Sequence, residues 1–366
     1  MGNDLKIRKI IGLLVLLSLM GILCGCANSQ EVEKHSSEQS QTSDMTEQSQ
    51  EQDLPEIVPK FSAWAVYWDF DNLKSELEAI KDDLISICFF EVFYDEAGKF
   101  VVPEELEEIR TVLGEVEFDE AFHTYLTFVN DFKLQDGGIS NKDLSRTIPF
   151  FETESDAQNH ADKIVSLTKE LGYDGVEIDY EALGKTDIVW DNYLMFLEEL
   201  RRKCEEQQLM LKVVLEPNAP FHKDFPENIE YVVMCYNLYG GHSGMGPKAT
   251  PEFIKELIGR AGHISEKVSF AIATGGFDWR ADGKTTALTQ RVAESLSLEH
   301  EAKVVRDDES GCMVFEYTDE DNMLHTVWYA DVCTLQKWTD TIRKESPKST
   351  VSIWRLNGNS DLDQLE

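Results

Sequence analysis

From residue 59 onward, short apolar runs recur at regular intervals, and the stretches between them carry apolar residues at helical spacing. Within 157–171, for example, Ala161, Ile164 and Leu167 would share one helix face. Strands that alternate with amphipathic helices predict βα units and a parallel sheet. The predicted strands are Ser62–Trp68, Leu84–Phe93, His123–Val129, Gly175–Glu181, Met210–Glu216, Tyr231–Asn237, Lys267–Ala273 and Thr350–Arg355.

Eight such units over residues 59–366 predict one α/β domain, a (β/α)8 TIM barrel, whose usual length is about 250 residues plus insertions. The connection before the last strand is unusually long. It holds three alternating segments, Lys303–Arg306, Met313–Tyr317 and His325–Tyr329, with a turn at Asp319–Asn322. Because long loops without structure of their own are uncommon, we predict a small antiparallel insertion over about 277–336.

The chain before residue 59 has a different pattern. A positively charged start precedes the apolar run Ile10–Leu23, which is too short for a membrane span and is typical of a signal peptide. Leu23-Cys24-Gly25-Cys26 resembles a bacterial lipobox, which predicts removal of residues 1–25 and lipidation of Cys26. A diacylated cysteine would anchor the protein on the extracytoplasmic face of the cell membrane. An ordinary cleaved signal peptide with a spare thiol is the alternative.

Residues 26–58 consist mainly of Ser, Glu, Gln and Thr and have almost no apolar side chains. Such a segment buries too little surface to offset its chain entropy. We predict a disordered tether between the anchor and the barrel.

Composition excludes some functions. The chain has 69 acidic and 34 basic residues, a formal net charge of −35, whereas nucleic-acid binding needs basic patches.

The cysteines lack the paired spacing of a zinc site or a disulfide framework, although a Cys312–Cys333 pair stays open. The histidines lack ligand-like spacing, so we predict neither a metal nor an organic cofactor. The sequence does not indicate an oligomeric state.

The strongest chemical signal is one strand, in which Glu177, Asp179 and Glu181 alternate with Val176 and Ile178. Alternate side chains share a face, so in a barrel the acids would point inward and the apolar residues toward the helices. Glu181 comes last, at the carboxyl end, where barrel enzymes place catalytic groups. Burial and a neighbouring charge would raise its pKa, as an acid catalyst requires. Solvated acids on an edge strand would show the same alternation and remain an alternative.

This strand resembles the active-site strand of glycoside hydrolase family 18, the chitinase-like enzymes. The matching positions are Asp174, Gly175, Glu177, Asp179 and Glu181, where Glu177 replaces the usual Asp or Asn. The resemblance extends over most of residues 60–358.

Other segments resemble the same family in the same order. Met234–Asn237 is similar to the sixth-strand motif, with Asn237 in place of Asp, and Ile353–Leu356 is similar to the eighth strand. His325–Val332 and Gly246-Pro247 resemble the branch found in bacterial spore and cell-wall proteins.

The resemblance implies a substrate-assisted, retaining cleavage of β-1,4 linkages in glycans that contain N-acetylglucosamine. Glu181 would be the acid and base, and Asp179 and Tyr236 would orient the substrate's acetamido group. Glu177, Asn237 and Trp354 would bind the sugar. No cofactor is implied.

Several alternatives stay open. The glycan could be peptidoglycan, spore cortex, chitin or a host glycan. A non-catalytic, lipid-anchored carbohydrate-binding protein of the same fold is the main alternative function, and a transporter's lipoprotein receptor would have two α/β lobes instead of a barrel. The aromatic residues that could line a sugar cleft are Trp64, Trp68, Tyr239 and Trp279.

Overall fold

The computed structural model describes residues 61–366. The predicted signal peptide, the lipidation site Cys26 and the tether over 26–58 lie outside the described residues. Within 61–366, no helix combines the length and the apolar character that crossing a membrane requires.

The described residues form a regular alternation of strands and helices. The strands are β1 (Phe61–Val66), β2 (Leu84–Asp95), β3 (Phe100–Val101), β4 (His123–Lys133), β5 (Ile139–Ser140), β6 (Gly175–Asp179), β7 (Met210–Leu215), β8 (Glu230–Met234), β9 (Val268–Ala273), β10 (Gly275–Arg280), β11 (Thr285–Leu288), β12 (Val305–Arg306), β13 (Met313–Thr318), β14 (Leu324–Ala330) and β15 (Val351–Trp354). The helices are α1 (Leu73–Ile80), α2 (Glu105–Leu113), α3 (Leu144–Thr147), α4 (Glu154–Leu171), α5 (Asp187–Glu206), α6 (Pro251–Ala261), α7 (Gln290–Glu299) and α8 (Val332–Glu345).

Eight parallel strands close into a barrel in the order β1-β2-β4-β6-β7-β8-β9-β15. The closing pair is parallel, with Phe61 opposite Val351 and Ala63 opposite Ile353. The predicted TIM barrel is confirmed, and each of the eight predicted strands overlaps one barrel strand. The acids of β6 therefore do not lie on an edge strand, because β6 is paired with a neighbouring strand on each side.

The central strand β6 is fixed by its neighbours on both faces. Val176 and Ile178 are fully buried in the outer core, which they share with residues of α4 and α5. Before β6, Asp174 accepts hydrogen bonds from the backbone N–H and hydroxyl of Thr124, each 2.8 Å long. At Gly175, an added Cβ would lie 2.5 Å from the Tyr125 ring, so only glycine fits. Local packing thus explains the Asp-Gly pair that precedes the acids.

The predicted antiparallel insertion is confirmed as a five-stranded sheet, in the order β11-β10-β14-β13-β12, with α7 packed on it. It starts at Gly275 rather than near 277, because Gly275 has φ 61° and turns the chain from β9 directly into β10. The sequence analysis missed β10 and β11 as separate strands. Cys312 and Cys333 are both free thiols, so the pairing left open does not occur.

Candidate active site

Glu181 is the second residue after the end of β6, and hydrogen bonds to its backbone hold it in place. The buried side chain of Asn130, from β4, donates from Nδ2 to the Glu181 carbonyl at 2.9 Å. The Glu181 N–H donates back to Asn130 Oδ1 at 3.0 Å. These two bonds fix the position from which the carboxyl group reaches the open end of the barrel. The Glu181 side chain retains 14% of its accessible surface.

Asp179 lies one step further into the barrel and is 6% exposed. Its Oδ1 is buried and has no hydrogen-bond partner among residues 61–366. Burial, and next the neighbouring charge of Glu181, raise the Asp179 pKa well above its ordinary value. A buried acceptor without a donor is costly, so this oxygen is poised to receive a donor from a bound molecule.

Glu177 is fully buried at the next level of the barrel. Its Oε1 accepts from Trp64 Nε1 at 2.6 Å and from the Thr127 hydroxyl at 2.7 Å, and its Oε2 accepts from Cys88 Sγ at 3.0 Å. Burial raises the Glu177 pKa, and the buried Lys212 opposes that rise. Glu177 has no exposed surface, and its predicted contact with the sugar stays a prediction. Its charge is one of those that raise the pKa of Asp179.

Three further acids surround Glu181. Glu91 from β2, Asp131 from β4 and Glu216 at the end of β7 each act electrostatically on the pKa of Glu181 or a neighbouring acid. Burial, followed by Asp131 and Glu181, raises the Glu91 pKa to about 8. Glu216 Oε2 also accepts from the Ala182 N–H at 2.8 Å and so fixes the turn after Glu181.

Lys142 is the cation of this acidic cluster. Its Nζ lies 2.5 Å from Glu181 Oε2, and its backbone N–H donates to Asp131 Oδ1 at 2.7 Å. Burial raises the Glu181 pKa, and the charge of Lys142 opposes that rise without cancelling it. The pKa values of the two buried carboxyl groups, Asp179 and Glu181, are thus both raised, although an ammonium group lies next to them.

Tyr236, Asn237 and Trp354 line one cavity of about 350 Å³ at the carboxyl ends of β8, β9 and β15. Trp354 is partly exposed there and is held edge-on by Trp64 and Phe90, with ring centres 5.8 and 4.7 Å away. Burial, and next Asp179, raise the pKa of Tyr236, so its hydroxyl keeps its proton and can donate a hydrogen bond. Asn237 has φ 66°, a conformation that Asn tolerates better than most residues.

The other aromatic candidates have different environments. Trp64 is 2% exposed and donates a hydrogen bond to Glu177. Trp279 is buried in the insertion, so neither ring has a free face on which a sugar could stack. Trp68 is half exposed and packs edge-on to Phe90 at the rim. Tyr239 is partly buried in the loop after β8.

The sequence analysis missed Glu91, Asp131 and Glu216, although each lies at or near the carboxyl end of a predicted strand. The same position at the carboxyl end of a strand identified Glu181. Had this criterion been applied to every predicted strand, it would have identified these three acids as well. Lys142 carries no such signal, because it lies in the connection after β5 and only the fold brings it to Glu181.

The assembled site can protonate a leaving group and stabilise a developing positive charge. Glu181 supplies a carboxyl group at the mouth, Asp179 supplies an unpaired buried acceptor below it, and Tyr236 supplies a donor. Trp354 presents an aromatic surface to the same cavity. This arrangement provides the groups that general acid catalysis requires, next to an aromatic surface.

Comparisons with known proteins agree with the geometry. The family described as glycosyl hydrolases family 18 matches residues 137–359, which is more than half of the chain. A chitinase from Chromobacterium violaceum has a similar structure, with a TM-score of 0.67, 17% identity, and coverage of 82% of this chain and 96% of that chain. At this identity, the similarity shows a shared fold.

Two Bacillus subtilis proteins are similar in sequence. One, named "Uncharacterized glycosylase YvbX", is 25% identical over 215 residues, 55% of this chain and 62% of that protein. Another, named "Cortical fragment-lytic enzyme", is 25% identical over 216 residues, 53% of this chain and 49% of that protein. The match thus spans less than two thirds of either relative.

Proposed function

The chain belongs to glycosyl hydrolase family 18, and from that premise we propose that it hydrolyses β-1,4 linkages in a glycan containing N-acetylglucosamine. We place the glycan in peptidoglycan or spore cortex, in keeping with the name of the cortical relative. We further propose that Cys26 anchors the enzyme on the extracytoplasmic face of the membrane, within reach of the wall.

The observation that carries this proposal is the unpaired Oδ1 of buried Asp179 beside Glu181. An amide N–H on the substrate would satisfy that oxygen. Such an N–H is present in a 2-acetamido sugar and absent from plain glucans. The buried acceptor therefore favours N-acetylated glycans, and the adjacent carboxyl group favours cleavage over simple binding.

The proposed reaction is substrate-assisted. Glu181 donates its proton to the glycosidic oxygen as the bond from that oxygen to the anomeric carbon breaks. The acetamido oxygen attacks the anomeric carbon and forms an oxazolinium ion, whose N–H donates to Asp179 and whose positive charge Asp179 stabilises. Tyr236 donates to the acetamido oxygen before it attacks. Glu181, now a carboxylate, accepts a proton from water as that water attacks the anomeric carbon. The bond between the anomeric carbon and the acetamido oxygen breaks in the same step, which restores the acetamido group and retains the β-configuration.

The side chains of Asn237 and Trp354 complete the site of the reacting sugar. Both line the same cavity as Tyr236. We propose that Trp354 stacks under the sugar ring and that Asn237 contacts the ring's polar groups. The residues involved require no metal or organic cofactor for these steps.

A second candidate function is carbohydrate binding without cleavage. The ion pair between Lys142 and Glu181 favours it, because a neighbouring ammonium stabilises the unprotonated carboxylate. Burial opposes that effect and the Glu181 pKa is still raised, so we place hydrolysis first.

The test is reducing-end release from purified peptidoglycan and from chitin oligomers by the detergent-solubilised full-length protein. We expect release by the parent and a loss of at least about a hundred-fold in Glu181→Gln, the scale of general acid catalysis. Glu120→Gln, at an exposed site before β4, is the matched control and should keep the parental rate. Binding of either glycan without release by the parent would instead support the carbohydrate-binding function.

A further inference from the structure

The cavity at Trp354 is lined jointly by the barrel and the insertion. Tyr236, Asn237 and Trp354 belong to the barrel, and Leu288 and Val292 belong to β11 and α7. Lys248 and Arg355 contribute the cationic groups of this wall, and Asp69 contributes a carboxylate. The cavity has a volume of about 350 Å³, and Lys248 lines it together with Trp354, so a substituent of the sugar next to the one at Trp354 can lie against Lys248.

Lys248 is a cation without an anionic partner. Its Nζ donates to the Thr274 carbonyl at 2.6 Å and lies 5.0 Å from the centre of the Phe277 ring. No carboxylate among residues 61–366 lies within ion-pair distance of it. Burial, and next the charge of Arg355, lower the Lys248 pKa to about 8, so the group is still mostly charged at neutral pH. A desolvated charge that lacks a counter-ion is unfavourable until an anion joins it.

The other charges in the cavity neutralise each other. Arg355 donates from a guanidinium nitrogen to Asp69 Oδ2 at 2.7 Å. The cavity therefore keeps one uncompensated positive charge, on Lys248. This contrasts with the chain as a whole, whose formal net charge is −35, and with the acidic cluster around Glu181.

The position of Lys248 is built into the barrel rim. Its backbone carbonyl accepts from the Leu238 N–H at 3.0 Å, which closes the loop after β8. Thr274, whose carbonyl holds the ammonium, bonds through its hydroxyl to the backbone of Arg355. Gly358 permits this approach, since a Cβ there would lie 1.8 Å from Thr274 Oγ1. The ammonium is thus held at the end of β9, beside the end of the neighbouring strand β15 that presents Trp354.

We propose that Lys248 binds a carboxylate carried by the sugar next to the one stacked on Trp354. The inference rests on the proposed function and narrows its substrate. In a glycan that alternates N-acetylglucosamine with its 3-O-lactyl ether, N-acetylmuramic acid, a glucosamine unit over Trp354 has lactyl carboxylates on both neighbours. Chitin has none. The lactyl carboxylate is free only on units that carry no stem peptide, because the peptide is attached to that carboxyl group as an amide. Lys248 therefore makes the site selective for peptide-free peptidoglycan backbone over chitin.

The test compares two tetrasaccharides of alternating N-acetylglucosamine and N-acetylmuramic acid without stem peptides, one with free lactyl carboxyl groups and one with methyl esters. Binding is measured by calorimetry to the full-length Glu181→Gln protein, so that cleavage is not needed. We expect the free acid to bind about ten-fold tighter than the ester, the effect of one charge-assisted hydrogen bond.

In a Glu181→Gln protein that also carries Lys248→Met, the ratio of the two affinities should fall to about one. With Lys248→Arg, which keeps the charge, a preference for the acid should remain. With Lys348→Met, an exposed lysine between α8 and β15 on the opposite side of the barrel, the ratio should stay at the parental value.

If the Glu181→Gln protein binds the acid and the ester with equal affinity, that result alone overturns the inference, and no variant of Lys248 is needed. A ratio that persists in Lys248→Met would also overturn it. If the parent binds the acid preferentially but cleaves no glycan, the hydrolase proposal fails while the carboxylate site stands.

Discussion

Glu181 lies under two opposing electrostatic influences. Burial and the surrounding acids raise its pKa, which favours the protonated form that an acid catalyst needs. The ammonium of Lys142, 2.5 Å away, favours the carboxylate, which is the form that later accepts a proton from water. A residue that works first as acid and then as base benefits from a pKa between these limits. Lys142 is therefore a positioning residue that we expect to tune the pH range of the enzyme.

Replacement of Lys142 by Met tests this tuning. Without the ammonium, the Glu181 pKa rises further, so the acid stays protonated to higher pH and the alkaline limb of the kcat/KM profile moves upward. Above the optimum, the variant should retain roughly three-fold more of its own maximal activity than the parent. The matched control is Lys133→Met, at an exposed position of β4. An unmoved alkaline limb would contradict the role assigned to Lys142.

The protonation of Glu91, in the acidic cluster, makes the free energy of unfolding depend on pH. In the folded protein its pKa is raised from the ordinary 4.5 to about 8, mainly by burial, with a further rise from Asp131 and Glu181. The folded protein therefore holds this proton more tightly than the unfolded chain. The stabilisation is complete below about pH 4.5 and is lost as the pH rises through about 8.

Glu91→Gln, which stays neutral at every pH, should remove this dependence. Between pH 5 and pH 8, the free energy of unfolding should fall by about 3 kcal/mol less in the variant than in the parent. Denaturant unfolding at several pH values measures it. Glu120→Gln, an exposed acid, should follow the parent. Parallel curves for Glu91→Gln and the parent would show that Glu91 is not buried in its acid form.

At the scale of the element, β6 depends on one close approach. Tyr125 from β4 crosses the first residue of β6, and its hydroxyl donates to Met210 Sδ at 3.3 Å while its ring lies 4.3 Å from Lys212 Nζ. Because these contacts hold the ring, it cannot yield to a side chain at Gly175. The Asp-Gly pair thus positions the acids even though neither residue reaches the cavity.

Gly175→Ala should destabilise the protein by about 2 kcal/mol, within the usual cost of overpacking, and should lower kcat as β6 shifts. Gly259→Ala is the matched control, since Gly259 lies on the exposed face of α6 and a Cβ there meets nothing within 4 Å. That variant should gain about 0.5–1 kcal/mol from helix propensity. Thermal or denaturant unfolding measures both, and equal effects of the two substitutions would contradict the steric account.

For the molecule as a whole, the proposed lipid anchor at Cys26 would determine where the barrel works. We expect Cys26→Ala to release the protein from the membrane fraction into the medium, because the two acyl chains supply the binding energy. Cys24→Ala, two residues earlier, should leave the protein in the membrane fraction. Cell fractionation and immunoblotting measure the distribution of both variants between membrane and medium. Retention of the Cys26 variant in the membrane would contradict the lipoprotein proposal.

The barrel and the carboxylate strand could both be predicted from the amino-acid sequence. Alternation is a local property, so the outward Val176 and Ile178 and the inward Asp179 could be placed from spacing alone once β6 was known to be a barrel strand. The insertion was recognised by its length, but its strands β10 and β11 were not. Only Thr274 separates β10 from β9, and β11 has just four residues, Thr285–Leu288.

Which charged groups lie next to each other depends on the fold and could not be predicted from the sequence. Lys142 reaches Glu181 from a loop 39 positions away, and Lys248 reaches the cavity of Trp354 from the loop after β8. Glu177, which resembles a substrate-binding acid in sequence, proved to be enclosed by Trp64, Cys88 and Thr127 from three other strands. Burial and pairing depend on atoms from distant segments, and these set the pKa values and the free binding groups of the site. Spacing along the chain carries no record of them.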